Sequence, residues 1–177
     1  ARPLRVLYAE HNATDADLLR RHLAGHAPHI HLDMVGTATE ALQRLPDHGP
    51  VSDYDLLLLD YRLPGLNALE MLKELRQVRG LDVPVVLVTG RGDEEVALQA
   101  LKLGAADYVP KNPGYLYQLP SVLENAFHRA QLARGQAALR ESEARFRRLA
   151  ENAQDLIYRY RFTPTRGFEY VSPAATT

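Results

Sequence analysis

The chain has 177 residues, 46% hydrophobic and 24% charged, with 21 basic side chains against 22 acidic ones and no cysteine. That length suits one ordinary domain with something added, and the lack of cysteine excludes disulfides, thiolate metal sites and a cysteine nucleophile. No apolar run approaches the ~18 residues of a membrane span, no signal peptide precedes the first strand-like run and no concentrated basic field marks a nucleic-acid surface, so a cytoplasmic protein without nucleic-acid or membrane contact is expected.

In chain order, residues 4–9 form a short apolar run that predicts a strand. Ala16, Leu19 and Leu23 share one face of a helix over 14–25, whose start, Thr14-x-x-Asp17, resembles a capping box. Residues 30–35 alternate apolar and polar and predict a strand with one wetter face. Thr37-x-x-Glu40 opens a second helix, with Ala38, Ala41, Leu42 and Leu45 inward, and Pro46 and Gly49-Pro50 close that region. Leu56 to Leu59, between Asp55 and Asp60, predict a central strand buried on both faces. Asn67-x-x-Glu70 opens a third helix with Ala68, Leu72 and Leu75 inward. Residues 83–88 predict another buried strand, a helix over 93–103 turns Ala97, Ala100 and Leu101 inward, and residues 106–110 form a last short strand. Five such βα units predict a parallel sheet covered by helices on both faces. A sheet of that kind takes its ligand at the carboxyl ends of its strands.

Ser121-x-x-Glu124 predicts the cap of a long helix reaching about residue 152, its amino-terminal half lying on the sheet beside Tyr108. Leu132, Leu139 and Phe146 fall seven apart, with Leu149 on the same stripe, and predict a seam through which two copies pair as a parallel homodimer. Gly135 costs this helix roughly 1 kcal/mol against alanine and predicts a bend or fraying there. Residues 155–162 and 168–171 predict a β-hairpin. A hairpin alone is marginal in water, so 153–177 reads as the start of a second domain.

The chemistry gathers at strand ends. Glu10-His11 follows the first strand, Asp60 ends the third, Thr89 ends the fourth and Lys111 follows the fifth. Two carboxylates and a lysine in one crevice can hold a hard divalent cation and an anionic group, and a hydroxyl and an ammonium suit phosphate oxygens. Any one of these residues alone is an ordinary turn or cap residue; four strand ends carrying such groups are not. The other histidines, His22, His26, His29, His31 and His48, scatter over surface and loops, and His128 reads as a solvated residue of the long helix.

Glu10, Asp60 with Arg62-Leu63-Pro64-Gly65, Thr89-Gly90, and Gly104-Ala105-Ala106-Asp107-Tyr108-Val109-x-Lys111 resemble the receiver domain of two-component response regulators over about residues 3–130. The resemblance implies a flavodoxin-like, doubly wound five-stranded parallel sheet of order 2-1-3-4-5 with an extended C-terminal helix. It implies a receiver domain over 1–130 and a linker helix, a possible coiled coil, over 121–152. It implies that Asp60 accepts a phosphoryl group from the phosphohistidine of a histidine kinase or phosphotransfer protein. Glu10, Asp60 and the backbone carbonyl of Arg62 would ligate Mg²⁺, Thr89 and Lys111 would meet the phosphoryl oxygens, and Thr89 and Tyr108 would form the switch. An aspartyl nucleophile needs no proton removed near neutral pH, and phosphoryl transfer depends mainly on positioning and charge neutralisation.

Three positions depart from the family pattern. His11 stands where an aspartate usually ligates the metal, and imidazole suits Mg²⁺ poorly, so weakened Mg²⁺ binding is expected. Ala68 replaces a usual glycine, and Asn112 separates Lys111 from Pro113. In the tail, residues 141–157 and 168–174 resemble the opening of a PAS sensor domain, which implies a partial α+β tail over 153–177 and an output region in a larger protein, such as a histidine kinase or nucleotide cyclase. The fragment itself is then a regulatory phosphoacceptor and not an enzyme. A pseudo-receiver, the same fold used for protein interaction without phosphorylation, is the competing reading, and His11 favours it. An enzyme on this fold is the third. A haloacid-type phosphatase would want an aspartate where Arg62 stands, and a flavin protein would want a hydroxyl- and glycine-rich loop in place of Glu10-His11-Asn12.

Overall fold

The computed structural model describes residues 2–49, 52–152, 158–161 and 167–171. Five parallel strands, β1 (Leu4–Ala9), β2 (Ile30–Val35), β3 (Leu56–Asp60), β4 (Val85–Thr89) and β5 (Asp107–Pro110), form one sheet in the order β2-β1-β3-β4-β5. The connecting helices are α1 (Ala13–His26), α2 (Ala38–Gln43), α3 (Ala68–Lys73), α4 (Glu94–Lys102) and α5 (Tyr115–Asn152). Strands β6 (Tyr158–Arg161) and β7 (Gly167–Val171) pair antiparallel, with a bulge at Arg159/Tyr160. The hairpin expected in the tail is there in shortened form, and its remaining residues lie outside the described ones. Two units divide the chain, residues 1–130 and 131–177.

Strand periodicity sorts the core onto two faces. Leu57 and Leu59 join Leu7, Val85 and Leu87 beneath α2, α3 and α4, where Ala41, Met71, Leu72 and Ala100 meet them. Leu56 and Leu58 join Val6, Tyr8, Val86 and Val88 on the other face, under Leu19 and Leu23 of α1 and Leu119, Leu123 and Ala126 of α5. All of β3 and β4 is buried. A uniformly apolar strand is what a position covered on both faces requires.

Two caps form as read. Thr37 accepts from Glu40 N at 3.1 Å, and Asn67 with Glu70 forms a complete capping box. The cap of α1 lies elsewhere: Asn12, not Thr14, accepts from Thr14 N and Asp15 N. An Asn carbonyl reaches the N2 and N3 amides from the N-cap position, so the helix starts a residue earlier than expected. Leu101, expected inward, is 38% exposed, because Ala97 and Ala100 alone make the buried face of α4.

The long helix begins at Tyr115, not Ser121, and carries Pro120 inside it. Proline lacks only its own N–H and is tolerated near a helix start, so it does not act as the boundary it resembled. Glu124, expected in a capping box, instead pairs with His29. The helix stays helical through Gly135, which corrects the expectation of fraying there. Tyr108 is also placed differently. It packs into the cluster beneath α3 and α4, whereas α5 covers the opposite face with Val109, since neighbouring strand residues point to opposite sides.

Candidate functional site

The parallel sheet brings the expected polar residues to one end. Glu10 immediately follows β1, Asp60 and Thr89 are the last residues of β3 and β4, and Lys111 follows β5. Glu10, Asp60 and Thr89 are the buried polar or charged side chains among the described residues, at 6%, 6% and 2% exposure. β1 and β4 flank β3 on either side, so Asp60 sits at the centre of the sheet edge with Glu10 to one side and Thr89 to the other.

Lys111 ties the group together. Its Nζ lies 2.7 Å from Asp60 Oδ2, 2.8 Å from Asp15 Oδ2 and 3.3 Å from Glu10 Oε2. The Lys111 amide donates to the Thr89 carbonyl at 2.8 Å, which fixes the base of the lysine against β4. The second oxygen of Asp60 accepts from Arg62 N at 2.8 Å. Glu10 accepts from Asn12 N at 2.9 Å and from the Tyr8 hydroxyl at 3.1 Å. Asp93 accepts from Gly90 N at 3.0 Å and lies 3.9 Å from Arg62, bracing the loop after Thr89 toward the one after Asp60.

Burial is costly for these charges. It pushes Glu10 up to about 7, helped by its hydrogen bond and charge contact with Asp60, while the Asn12 amide and Lys111 oppose it. Burial alone would lower Lys111, but bonds to Asp15 and Asp60 and the charges of Asp60 and Glu10 outweigh it and raise it above its ordinary range. Tyr8 is raised too, first by burial and then by Glu10, so its hydroxyl keeps its proton and serves Glu10 as a donor.

Asp15 and Tyr8 belong to this site and were not singled out from sequence. Asp15 carries a faint signal, an acid one helical turn beyond Glu10; Tyr8 reads only as a core residue. His11, the position where a second acid was looked for, is exposed. Buried carboxylate oxygens from Glu10 and Asp60, with a backbone carbonyl beyond Asp60, are a hard-donor set that fits Mg²⁺. Glu10, Asp15 and Asp60 converge on the Lys111 ammonium, and among the described residues no three acid or imidazole side chains meet as a metal cluster. An ion here would therefore keep several waters, as Mg²⁺ commonly does.

A doubly wound α/β sheet with an aspartate, a threonine and a lysine at its carboxyl edge is the architecture of a phosphate-handling regulatory module. The chain belongs to the response regulator receiver domain family, whose family model matches residues 6–118. It is 37% identical over 100 residues to the two-component response regulator PhoP of Pseudomonas aeruginosa, covering 55% of this chain and 42% of that protein. The solved full-length FixJ from B. japonicum superposes with a TM-score of 0.65 at 26% identity, over 81% of this chain and 67% of that one. A receiver domain protein from Clostridium thermocellum shares the fold, with a TM-score of 0.63 at 23% identity over 73% of this chain and 98% of that one. The chain spans less than two-thirds of the length of the curated relatives it matches, from 30% to 62% for the first three. Receiver domains are regulatory modules of two-component signal transduction and generally bind Mg²⁺ at their phosphorylation site. Among the described residues no helix is long and apolar enough to cross a membrane.

Proposed function

We propose that this chain is the phosphoacceptor receiver module of a two-component phosphorelay, phosphorylated on Asp60 by a histidine kinase or phosphotransfer protein. The observation that carries the reading is the 2.7 Å contact between Asp60 Oδ2 and Lys111 Nζ at the centre of the carboxyl edge. An Asp60 oxygen attacks the phosphorus of the donor phosphohistidine; the N–P bond breaks, an O–P bond forms, and the imidazole leaves neutral with a proton on its other nitrogen. Lys111 moves from the Asp60 oxygen to a phosphoryl oxygen and offsets its charge. Thr89, at the end of the neighbouring strand, offers a hydroxyl to another. Mg²⁺, held by Glu10, Asp60 and the Arg62 carbonyl, neutralises the remaining negative charge of the transferring group. Thr89 and Tyr108 form the switch, and because Tyr108 packs on the α4 side, the signal leaves first through α4.

Residues 1–130 are the receiver, 121–152 the output helix, and 153–177 the start of a PAS region of a larger protein. Leu132, Leu139 and Leu149 are 67%, 60% and 66% exposed along α5, and pairing with a second copy would cover them. The pseudo-receiver reading is favoured by one observation, the exposed His11 in place of an acid. Incubation with a small phosphodonor and Mg²⁺, followed by mass spectrometry, separates the two. Wild type is expected to gain one phosphoryl group and Asp60→Asn none; no gain in wild type supports the pseudo-receiver.

A further inference from the structure

We propose that Asp15, in the first turn of α1, is the positioning residue that holds the Lys111 ammonium at this pocket and supplies there the negative charge that His11 does not. The inference rests on the phosphoacceptor reading and adds to it a residue that the strand-end pattern does not contain.

The geometry is specific. Lys111 is only 23% exposed and Asp15 32%, and their 2.8 Å contact is as short as that between Lys111 and Asp60. Asp15 is fixed from its own backbone: its amide donates to the Asn12 side chain at 3.2 Å, and the Asn12 amide donates to Glu10 at 2.9 Å. One short run of chain, residues 10–15, therefore carries two carboxylates to the same ammonium, and it does so with His11 turned out to solvent.

The charges give the arrangement a purpose. A dication that binds Glu10 and Asp60 must take the oxygens Lys111 now occupies, and an ammonium released into a half-buried pocket beside that dication would repel it. Asp15 gives the ammonium a partner that the metal does not need. Lys111 then stays within reach of a phosphoryl group on Asp60, and the pocket regains one negative charge. An acid in the first turn of α1 also favours the helix through the macrodipole, but that role acts on stability alone and leaves metal affinity unchanged.

Calorimetric titration of the whole chain with Mg²⁺, with Tm recorded for each variant, separates the two roles. Asp15→Asn is expected to weaken Mg²⁺ binding by about threefold to tenfold, the effect of one unit charge a few ångströms from a dication in a partly hydrated pocket. Adding His11→Asp to Asp15→Asn is expected to restore most of that affinity, and to gain more there than in wild type. Asp15→Ser serves in the same way should Asp15→Asn fold poorly. Unchanged Mg²⁺ affinity in the Asp15 variants, a loss that His11→Asp does not restore, or a wild type without measurable Mg²⁺ affinity each overturns the inference. Failure of wild type to take up a phosphoryl group overturns the proposed function instead, since the inference is read from Mg²⁺ affinity.

Discussion

Arg76 shows how much one side chain can decide. Its guanidinium donates to the carbonyls of Leu81 at 2.6 Å, Val83 at 2.8 Å and Gly104 at 3.2 Å. It thereby joins the end of the third helix to the approach to β4 and to the loop before β5. Gly104 has φ +98°, and a Cβ there would come within 3.2 Å of Arg76 Nε, so the glycine serves both the left-handed turn and the arginine's passage. Three bonds from one charged fork to backbone carbonyls predict that Arg76→Ala lowers stability by about 2–4 kcal/mol, read as a lower urea midpoint at unchanged slope. Arg76→Lys should recover little, because an ammonium cannot span the fork. Sequence gives no hint of this role, since the three carbonyls are brought together only by folding. The same holds for Asp15: its type is legible, but its partner 96 positions away is not.

At the scale of elements, α1 and the start of α5 meet through aromatic rings. His22 and His26 stack with centroids 4.3 Å apart, and Tyr117 lies edge-on to both at 4.6 and 5.4 Å. His22 Nε2 is buried without a hydrogen-bond partner. Burial and the neighbouring His26 hold His22 below its ordinary pKa, opposed by the Leu116 carbonyl, whose usual i+4 donor is missing because residue 120 is proline. The unfolded chain then takes up this proton more readily than the folded one, so the stability tied to His22 is intact above its ordinary value of about 6.5 and is lost as pH falls below it. The expected outcome is a Tm that drops on acidification through that range in wild type and drops less in His22→Gln. The third helix also changes pitch, running from α3 into a π-helical turn over Glu74–Val78. Its residues read as ordinary helix, and what sets the wider turn is the contacts of Arg76 and of Arg79, which donates to Leu42 O at 2.8 Å.

At the scale of the whole molecule, the 38 residues of α5 make a helix roughly 57 Å long at 1.5 Å per residue. Leu119, Leu123 and Ala126 bury its first part in the receiver core, and Arg129 ties it to Asp107 at 3.1 Å. Over 131–149 only Phe146 is half-buried and the remaining residues are exposed. A stripe of leucines in water is covered most simply by the same stripe of a second copy. Sedimentation is expected to show weak dimerisation of wild type, strengthened by phosphodonor, and a monomer for Leu139→Glu combined with Phe146→Glu. A wild type that stays monomeric at high concentration under both conditions would remove the seam from the output path.

By itself the sequence determined the sheet, its five strands and the identity of the residues at their carboxyl ends. Those features are written in short-range chemistry: runs of leucine and valine long enough for one strand, caps three residues apart, and an acid or hydroxyl where each run stops. Glu10, Asp60, Thr89 and Lys111 were legible because a parallel sheet sends every strand end to the same edge. Only the tertiary structure decided what lies across from what. Pro120 resembles a helix boundary, yet the helix starts before it, because burial of Leu119 and Leu123 against the sheet outweighs one missing hydrogen bond. Leu101 fits the inward face of its helix by spacing, yet two alanines supply the contact and leave it at the rim. Tyr108 and α5 are close in sequence but take opposite faces of β5. Asp15 meets Lys111 because α1 begins directly above the carboxyl edge. Local pattern fixes which groups an element carries, whereas the partner of each group depends on the packing of elements that are distant in the chain.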